Sequence, residues 1–173
     1  VFDPVNQIFT HNTTNENNGS LLSNMITKVY MGSDGIIWIG SWGGGVNMYD
    51  KRYNKFTHYR QENHINSLKG SSVTSFAEDK NGNIWISTDG GGINFFNKSK
   101  EKFIRQENNS FNSQDHINNK VLSIVSDEQG GLWAGMWQGG INYYLVEGNK
   151  LILKKKYNYV DETDKNSNSV FKI

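Results

Sequence analysis

Short apolar runs alternate with polar stretches along the whole chain, and each run is rich in Val, Ile, Phe, Tyr or Trp. Gly, Asn, Asp and Ser cluster between the runs. This pattern predicts strands separated by tight turns. No stretch longer than a turn carries apolar residues at i, i+3, i+4 and i+7, so no surface helix is predicted. In the middle of the chain the pattern predicts strands over Val73–Glu78, Ile84–Thr88, Gly92–Phe96 and Lys102–Gln106. "DKNG" at 79–82 and "SDG" at 33–35 have the composition of tight turns, with glycine supplying positive φ.

The pattern repeats. Trp38, Trp85 and Trp133 are separated by 47 and then 48 residues. Ile26, Val73 and Val121 keep that spacing, as do Gly35, Gly82 and Gly130. Gly45, Gly92 and Gly140 fall in register, each followed by Val or Ile and then by Asn47, Asn94 or Asn142. Tyr49, Phe96 and Tyr144 close that run, and Phe56 and Phe103 open another. A four-stranded antiparallel unit of this length has the size of one propeller blade, which buries its faces only by stacking on neighbours. The predicted fold is therefore all-β: a partial β-propeller with three complete blades over 20–66, 67–113 and 114–161. Partial blades are expected over 1–19 and 162–173, because "FDPVNQIFTH" at 2–11 aligns with "YDKRYNKFTH" at 49–58 and "NSVFKI" at 168–173 with "NKVLSI" at 119–124. Three blades do not close a ring. The open faces are expected to associate with a second copy or with the remaining blades of a longer parent.

Composition narrows the chemistry. The 173 residues carry a net charge of +1 with scattered Lys and Arg, which gives no electrostatic footprint for nucleic acid. The run Lys154, Lys155, Lys156 reads as a solvated face. There is no Cys, so disulfides and thiolate metal sites are excluded. His11, His58, His64 and His116 show no ligand spacing, and neither a metal nor a cofactor is predicted. No apolar run reaches the roughly 18 residues of a membrane span.

The candidate site residues lie beside the glycine-rich turns. Position 42 is Trp, the aligned position 89 is Asp, and the aligned position 137 is Trp. An aromatic ring at a loop tip can stack on a sugar ring, and Asp can accept hydrogen bonds from hydroxyls. The competing reading is that Trp42, Asp89 and Trp137 pad the loop or pack on the next blade. Trp38, Trp85 and Trp133 recur in every unit and are assigned to packing between blades, with Gly45, Gly92 and Gly140 as structural turn glycines. Asn47, Asn94 and Asn142 are assigned hydrogen bonds to a neighbouring turn. The polar segments 12–20 and 106–119 could shape a ligand or partner surface.

The segment "SSVTSFAEDKNGNIWISTDGGGINFFNKSKEKFIRQ" resembles the two-component-regulator propeller repeat, with its E-D start, G-x-(I/L)-W-(I/V) centre and G-G-(I/L) turn. All three copies resemble it. The first departs at Gly32, where the middle copy has Asp79, and the third departs at Ala134 and Gln138. The resemblance implies a sensory ectodomain of a hybrid two-component histidine kinase of the Bacteroides type. In that family two seven-bladed propellers precede an immunoglobulin-like domain, a membrane span and the kinase, and many members detect oligosaccharides in the periplasm. It thus implies an oligosaccharide or other small ligand as partner, membrane contact only through the parent's span, and no catalysis by these repeats. Alternatives are a protein-interaction propeller without a small ligand and a propeller lyase or glycosidase. The latter would need convergent acid and base groups, and the repeats bring no such pair together.

Overall fold

The structure, a computed structural model, describes residues 2–9, 11, 13–14, 20–53, 55–104, 119–158 and 168–173. Strands β1 (Phe2–Asp3) and β2 (Ile8–Phe9) pair as a short hairpin. The next twelve strands form three four-stranded antiparallel sheets, each a meander in sequence order. The first sheet holds β3 (Ile26–Met31), β4 (Ile37–Ser41), β5 (Gly45–Asp50) and β6 (Lys55–Tyr59). The second holds β7 (Ser72–Glu78), β8 (Ile84–Asp89), β9 (Gly92–Asn97) and β10 (Lys102–Ile104). The third holds β11 (Val121–Ser126), β12 (Gly131–Met136), β13 (Ile141–Glu147) and β14 (Lys150–Tyr157). The strands expected in the middle repeat appear within a residue at most ends; beyond Ile104 the expected β10 runs into residues outside those described.

Alternation decides which residues face inward. β7 lies against β3 and β4, and β11 lies against β7 and β8, so successive first strands are neighbours. One apolar cluster joins the first two sheets: Trp38 and Val46 pack with Val73, Phe76, Ile84 and Phe96. A second joins the next two: Trp85 and Phe95 pack with Val121, Ile124, Leu132 and Tyr144. Each buried large side chain contributes roughly 1.5–3 kcal/mol. The sheets are thus held face to face, as blades of a propeller.

A repeated irregularity joins the blades. The first strand of each sheet shifts register at the same place, between Ile26 and Lys28, Val73 and Ser75, and Val121 and Ser123. The bulge re-aims one residue toward the next blade. Thr27 Oγ1 donates to Val73 O at 2.6 Å, and Thr74 Oγ1 donates to Val121 O at 2.6 Å. The third blade has Leu122 at this position and no hydroxyl to donate.

A second set of bonds uses the backbone. Gly45 N–H donates to Ser71 O at 2.9 Å, Gly92 N–H to Asn119 O at 2.9 Å, and Gly140 N–H to Asn168 O at 2.7 Å. Gly45 has a φ of 75°, and a Cβ there would stand 2.4 Å from Tyr59 O, so only glycine allows this approach. Segment 168–173 lies on the third blade as 119–124 lies on the second, Gly140 N–H bonding Asn168 O as Gly92 N–H bonds Asn119 O, and Val170 N–H adds a bond to Met136 O at 3.0 Å.

Candidate functional site

The meander sends the turn after the first strand to one end of each blade and the turn after the second strand to the other. Trp42, Asp89 and Trp137 occupy equivalent positions at the latter end. Trp42 is 49% exposed, and its backbone N–H donates to Met25 O at 2.9 Å. Trp137 is 36% exposed, and its N–H donates to Lys120 O at 2.9 Å. Its ring meets Phe171 edge-on at 5.8 Å. Asp89 ends β8, is half-buried, and its backbone pairs with that of Lys120 in an isolated antiparallel bridge. Each residue stands on its own blade, and no ring contact or hydrogen bond among the described residues joins two of them. This end thus presents two partly exposed indoles on anchored backbone, Trp42 and Trp137, with Asp89 on the intervening blade. Such indoles can stack on flat apolar faces of a ligand.

The three repeating tryptophans do not share one environment. Trp38 is fully buried against Phe76 and Phe96 of the next blade, with ring centroids 6.5 and 5.0 Å away. Trp85 is fully buried in the cluster with the third blade. Trp133 is half-buried and covered by Tyr143 at 4.5 Å and Tyr157 at 5.8 Å.

The indole nitrogens differ too. Trp85 Nε1 donates to Asp79 Oδ2 at 3.3 Å, and Trp133 Nε1 donates to Asp127 Oδ2 at 3.1 Å. Each carboxylate also closes its turn: Asp79 Oδ1 accepts from the Asn81 and Asn83 amides, and Asp127 Oδ1 from those of Gln129 and Gly131. The amide of Gly131, with help from Trp133, holds the Asp127 carboxyl below the usual carboxylate range despite some burial. The first blade has Gly32 at this position, and the buried Trp38 Nε1 has no partner among the described residues. Asp34 closes the turn instead, accepting from Ile36 N–H at 3.1 Å.

That relocation builds an ionic cluster between the first two blades. Lys98 Nζ lies 2.6 Å from Asp34 Oδ2 and 3.4 Å from Glu78 Oε1. Glu78 also accepts from Ser33 N–H at 2.8 Å and Ser33 Oγ at 2.7 Å. Burial pushes both carboxyls up, but Lys98 and the Ile36 amide outweigh it at Asp34, and Ser33 with Lys98 outweighs it at Glu78, so both end below their ordinary values. Sequence reasoning missed this cluster, because the position of Glu78 is Met31 and Ser126 in the other copies and that of Lys98 is Val146 in the third, so spacing singles out neither. Its one visible trace was Gly32 at the place of Asp79.

Two of the repeating asparagines pin the segments between blades. Asn47 Oδ1 accepts from Leu22 N–H at 2.8 Å, and Asn94 Oδ1 accepts from Lys69 N–H at 2.8 Å. Asn142 Nδ2 donates to Tyr144 Oη at 3.0 Å, and burial pushes the Tyr144 phenol up to about 12. The position aligned with Leu22 and Lys69 is 117; it lies outside the described residues, as do His116 and most of the polar segments 12–20 and 106–119.

Comparison with known proteins bears on these repeats. The two component regulator propeller family model matches residues 20–43 and 67–90. The extracellular domain assigned to the hybrid two-component system BT3049 of B. thetaiotaomicron superimposes with a TM-score of 0.69 at 19% identity, covering 87% of this chain and 20% of that one. The corresponding domain of BT4673 from the same organism gives 0.59 at 23% identity, with 78% and 19% covered. PorZ, a surface component of the type-IX secretion system of Porphyromonas gingivalis, gives 0.63 at 16% identity, with 96% and 25% covered. The chain therefore spans about a fifth to a quarter of the length of these proteins. No curated protein sequence matches it. Three stacked four-stranded sheets, the first two of which carry the segments that match the two component regulator propeller model, show a chain built as successive blades of a β-propeller.

Proposed function

We propose that the chain is part of the periplasmic sensory region of a hybrid two-component sensor histidine kinase and takes part in binding an oligosaccharide. The observation that carries this reading is the family match to 20–43 and 67–90 on the first two blades, together with turn tips on the first and third blades that leave Trp42 and Trp137 partly exposed. The extracellular domains of the two B. thetaiotaomicron systems support the placement outside the cytoplasm. The chain's own part is binding; phosphoryl transfer belongs to a kinase domain elsewhere in the parent. For binding to signal, the ligand must favour one arrangement of blades, domains or protomers over another. Trp42 and Trp137 would stack on sugar rings, and Asp89 would accept from hydroxyls.

The test is calorimetric titration of the intact ectodomain with a panel of oligosaccharides. Binding is expected, with about tenfold or greater loss on Trp42→Ala and on Trp137→Ala and little change in unfolding midpoint. Binding unchanged in both variants refutes the site. Association with a protein partner and no oligosaccharide binding refutes the ligand class. The likeness to PorZ, named as a secretion-system component, makes that second outcome a concrete one.

A further inference from the structure

The ionic cluster between the first two blades has a counterpart one interface later, and there its place is open. The aligned residues are Lys80 for Ser33, Asn81 for Asp34, Ser126 for Glu78 and Val146 for Lys98. Two long charged side chains are replaced by short ones. A cavity of about 160 Å³ results, lined by Lys80, Asn81, Trp85, Ser126, Leu132 and Val146 and by the Asp79–Asn83 and Asp127–Gly131 turns. It has room for about five waters or a monocarboxylate of a few carbons.

The polar groups left over in this cavity include several donors, the Lys80 ammonium and N–H, the Ser126 hydroxyl and the Asn81 side-chain amide, the last two of which also accept. The charged groups facing it are Asp79, Asp127 and Lys80. Both carboxylates are committed to backbone amides and indole N–H groups. Lys80 makes no ion pair among the described residues, and its ammonium reaches across the gap to within 3.6 Å of where a Cβ on Gly130 would stand. The Lys80 N–H and the Ser126 hydroxyl likewise have no partner among the described residues. In the preceding interface the N–H aligned with that of Lys80, on Ser33, binds the Glu78 carboxylate at 2.8 Å. We propose that the cavity between the second and third blades binds a small carboxylate, held by the Lys80 ammonium and N–H and by Ser126 Oγ, in the place that Glu78 fills one interface earlier.

This site lies at the opposite end of the blades from Trp42 and Trp137, so it stands or falls independently of the oligosaccharide reading. The test is an amide NMR titration of the full chain with acetate, and with acetamide as the neutral isostere. Acetate is expected to give saturable shifts at Lys80, Ser126 and Gly130, with no saturable response to acetamide. Lys80→Met should weaken acetate binding by about tenfold or more. Ser126→Glu places a tethered carboxylate in the cavity; it should abolish the acetate response and raise the unfolding midpoint. Equal responses to the two probes, no saturable shift, full affinity in Lys80→Met, or a lowered midpoint in Ser126→Glu each overturn the proposal. Lys80 is exposed on its turn, so its replacement leaves the core intact.

Discussion

Replacing Asp79 by Ala tests what the turn carboxylates do for the blades. Asp79 is 9% exposed and accepts from the Asn81 and Asn83 amides and from Trp85 Nε1, which belongs to a fully buried ring. A buried donor left without its acceptor costs about 1–3 kcal/mol, and the 3.3 Å length of the indole bond puts that loss near 1.5. Asn81 and Asn83 are half-buried or exposed, so water recovers part of their amides' loss, at roughly 0.5–1 kcal/mol each. The sum is about 3 kcal/mol, a large fraction of the roughly 5–15 kcal/mol by which domains are stable. In urea, with a slope near 2 kcal/mol per molar, the midpoint should fall by about 1.5 M. The indole share is isolated by a double-mutant cycle with Trp85→Phe, which should return a coupling of about 1–2 kcal/mol. The first blade is the internal control, since Gly32 already denies Trp38 such a partner. A midpoint shift equivalent to under about 0.5 kcal/mol, or strict additivity in the cycle, would refute the claim that the carboxylate ties the turn to the indole.

Further outcomes follow from the same contacts. Gly45→Ala and Gly90→Ala both force alanine into left-handed backbone, at φ 75° and 88°, costing about 1–2 kcal/mol. Only at Gly45 does the new Cβ meet a carbonyl, 2.4 Å away, whereas Gly90 has nothing within 4 Å, so thermal midpoints should show at least twice the loss for Gly45→Ala. The folded-state values of Asp34 and Glu78 lie below their unfolded ones, so the stability they confer is complete above roughly pH 5 and disappears as pH falls through the folded values. Lys98→Met should cost about 1–2 kcal/mol at neutral pH, between an exposed and a buried pair, and should flatten the acid limb of the stability profile. An acid limb identical in Lys98→Met and the unaltered chain would show that the cluster does not couple the first two blades.

The periodic part of the chain was legible because burial on both faces of a stacked sheet demands the same side chains at the same places. Trp38 with Val46, and Trp85 with Ile93, sit at repeat positions and lie in the observed clusters. The bulges were not legible, since Thr27 and Thr74 have the same composition in a regular strand as in a shifted one. Nor were the unequal surroundings of the three indoles. Spacing treats Trp133 like Trp38, yet its cover comes from Tyr143 and Tyr157 of its own blade. The aligned residues are Met48 and Phe95 for Tyr143, so the third copy sets a phenol where the others set apolar groups.

The interfaces show where repeat proteins can diverge without losing the fold. Backbone bonds from Gly45, Gly92 and Gly140, together with the buried indoles, hold the blade arrangement constant. Side chains at the turns between β3 and β4, β7 and β8, and β11 and β12 are then free to change in concert. In the first interface Asp moves from position 32 to 34, which exposes a carboxylate to Lys98 and strands the Trp38 nitrogen. In the second, Asp79 keeps its indole, and the shortening of Glu78 to Ser126 and Lys98 to Val146 leaves a cavity where the first interface has its ion cluster. A cluster of three ions is geometrically demanding and resists relative motion of its two blades. A cavity at the matching place resists it less, because its walls have no partner atoms to lose. If one blade interface in this array yields when a ligand binds, these contacts place it between the second and third blades. Hydrogen exchange of the Gly92 and Gly45 amides, which form equivalent bonds across the two interfaces, should therefore be faster at Gly92; equal or slower exchange there would contradict the argument.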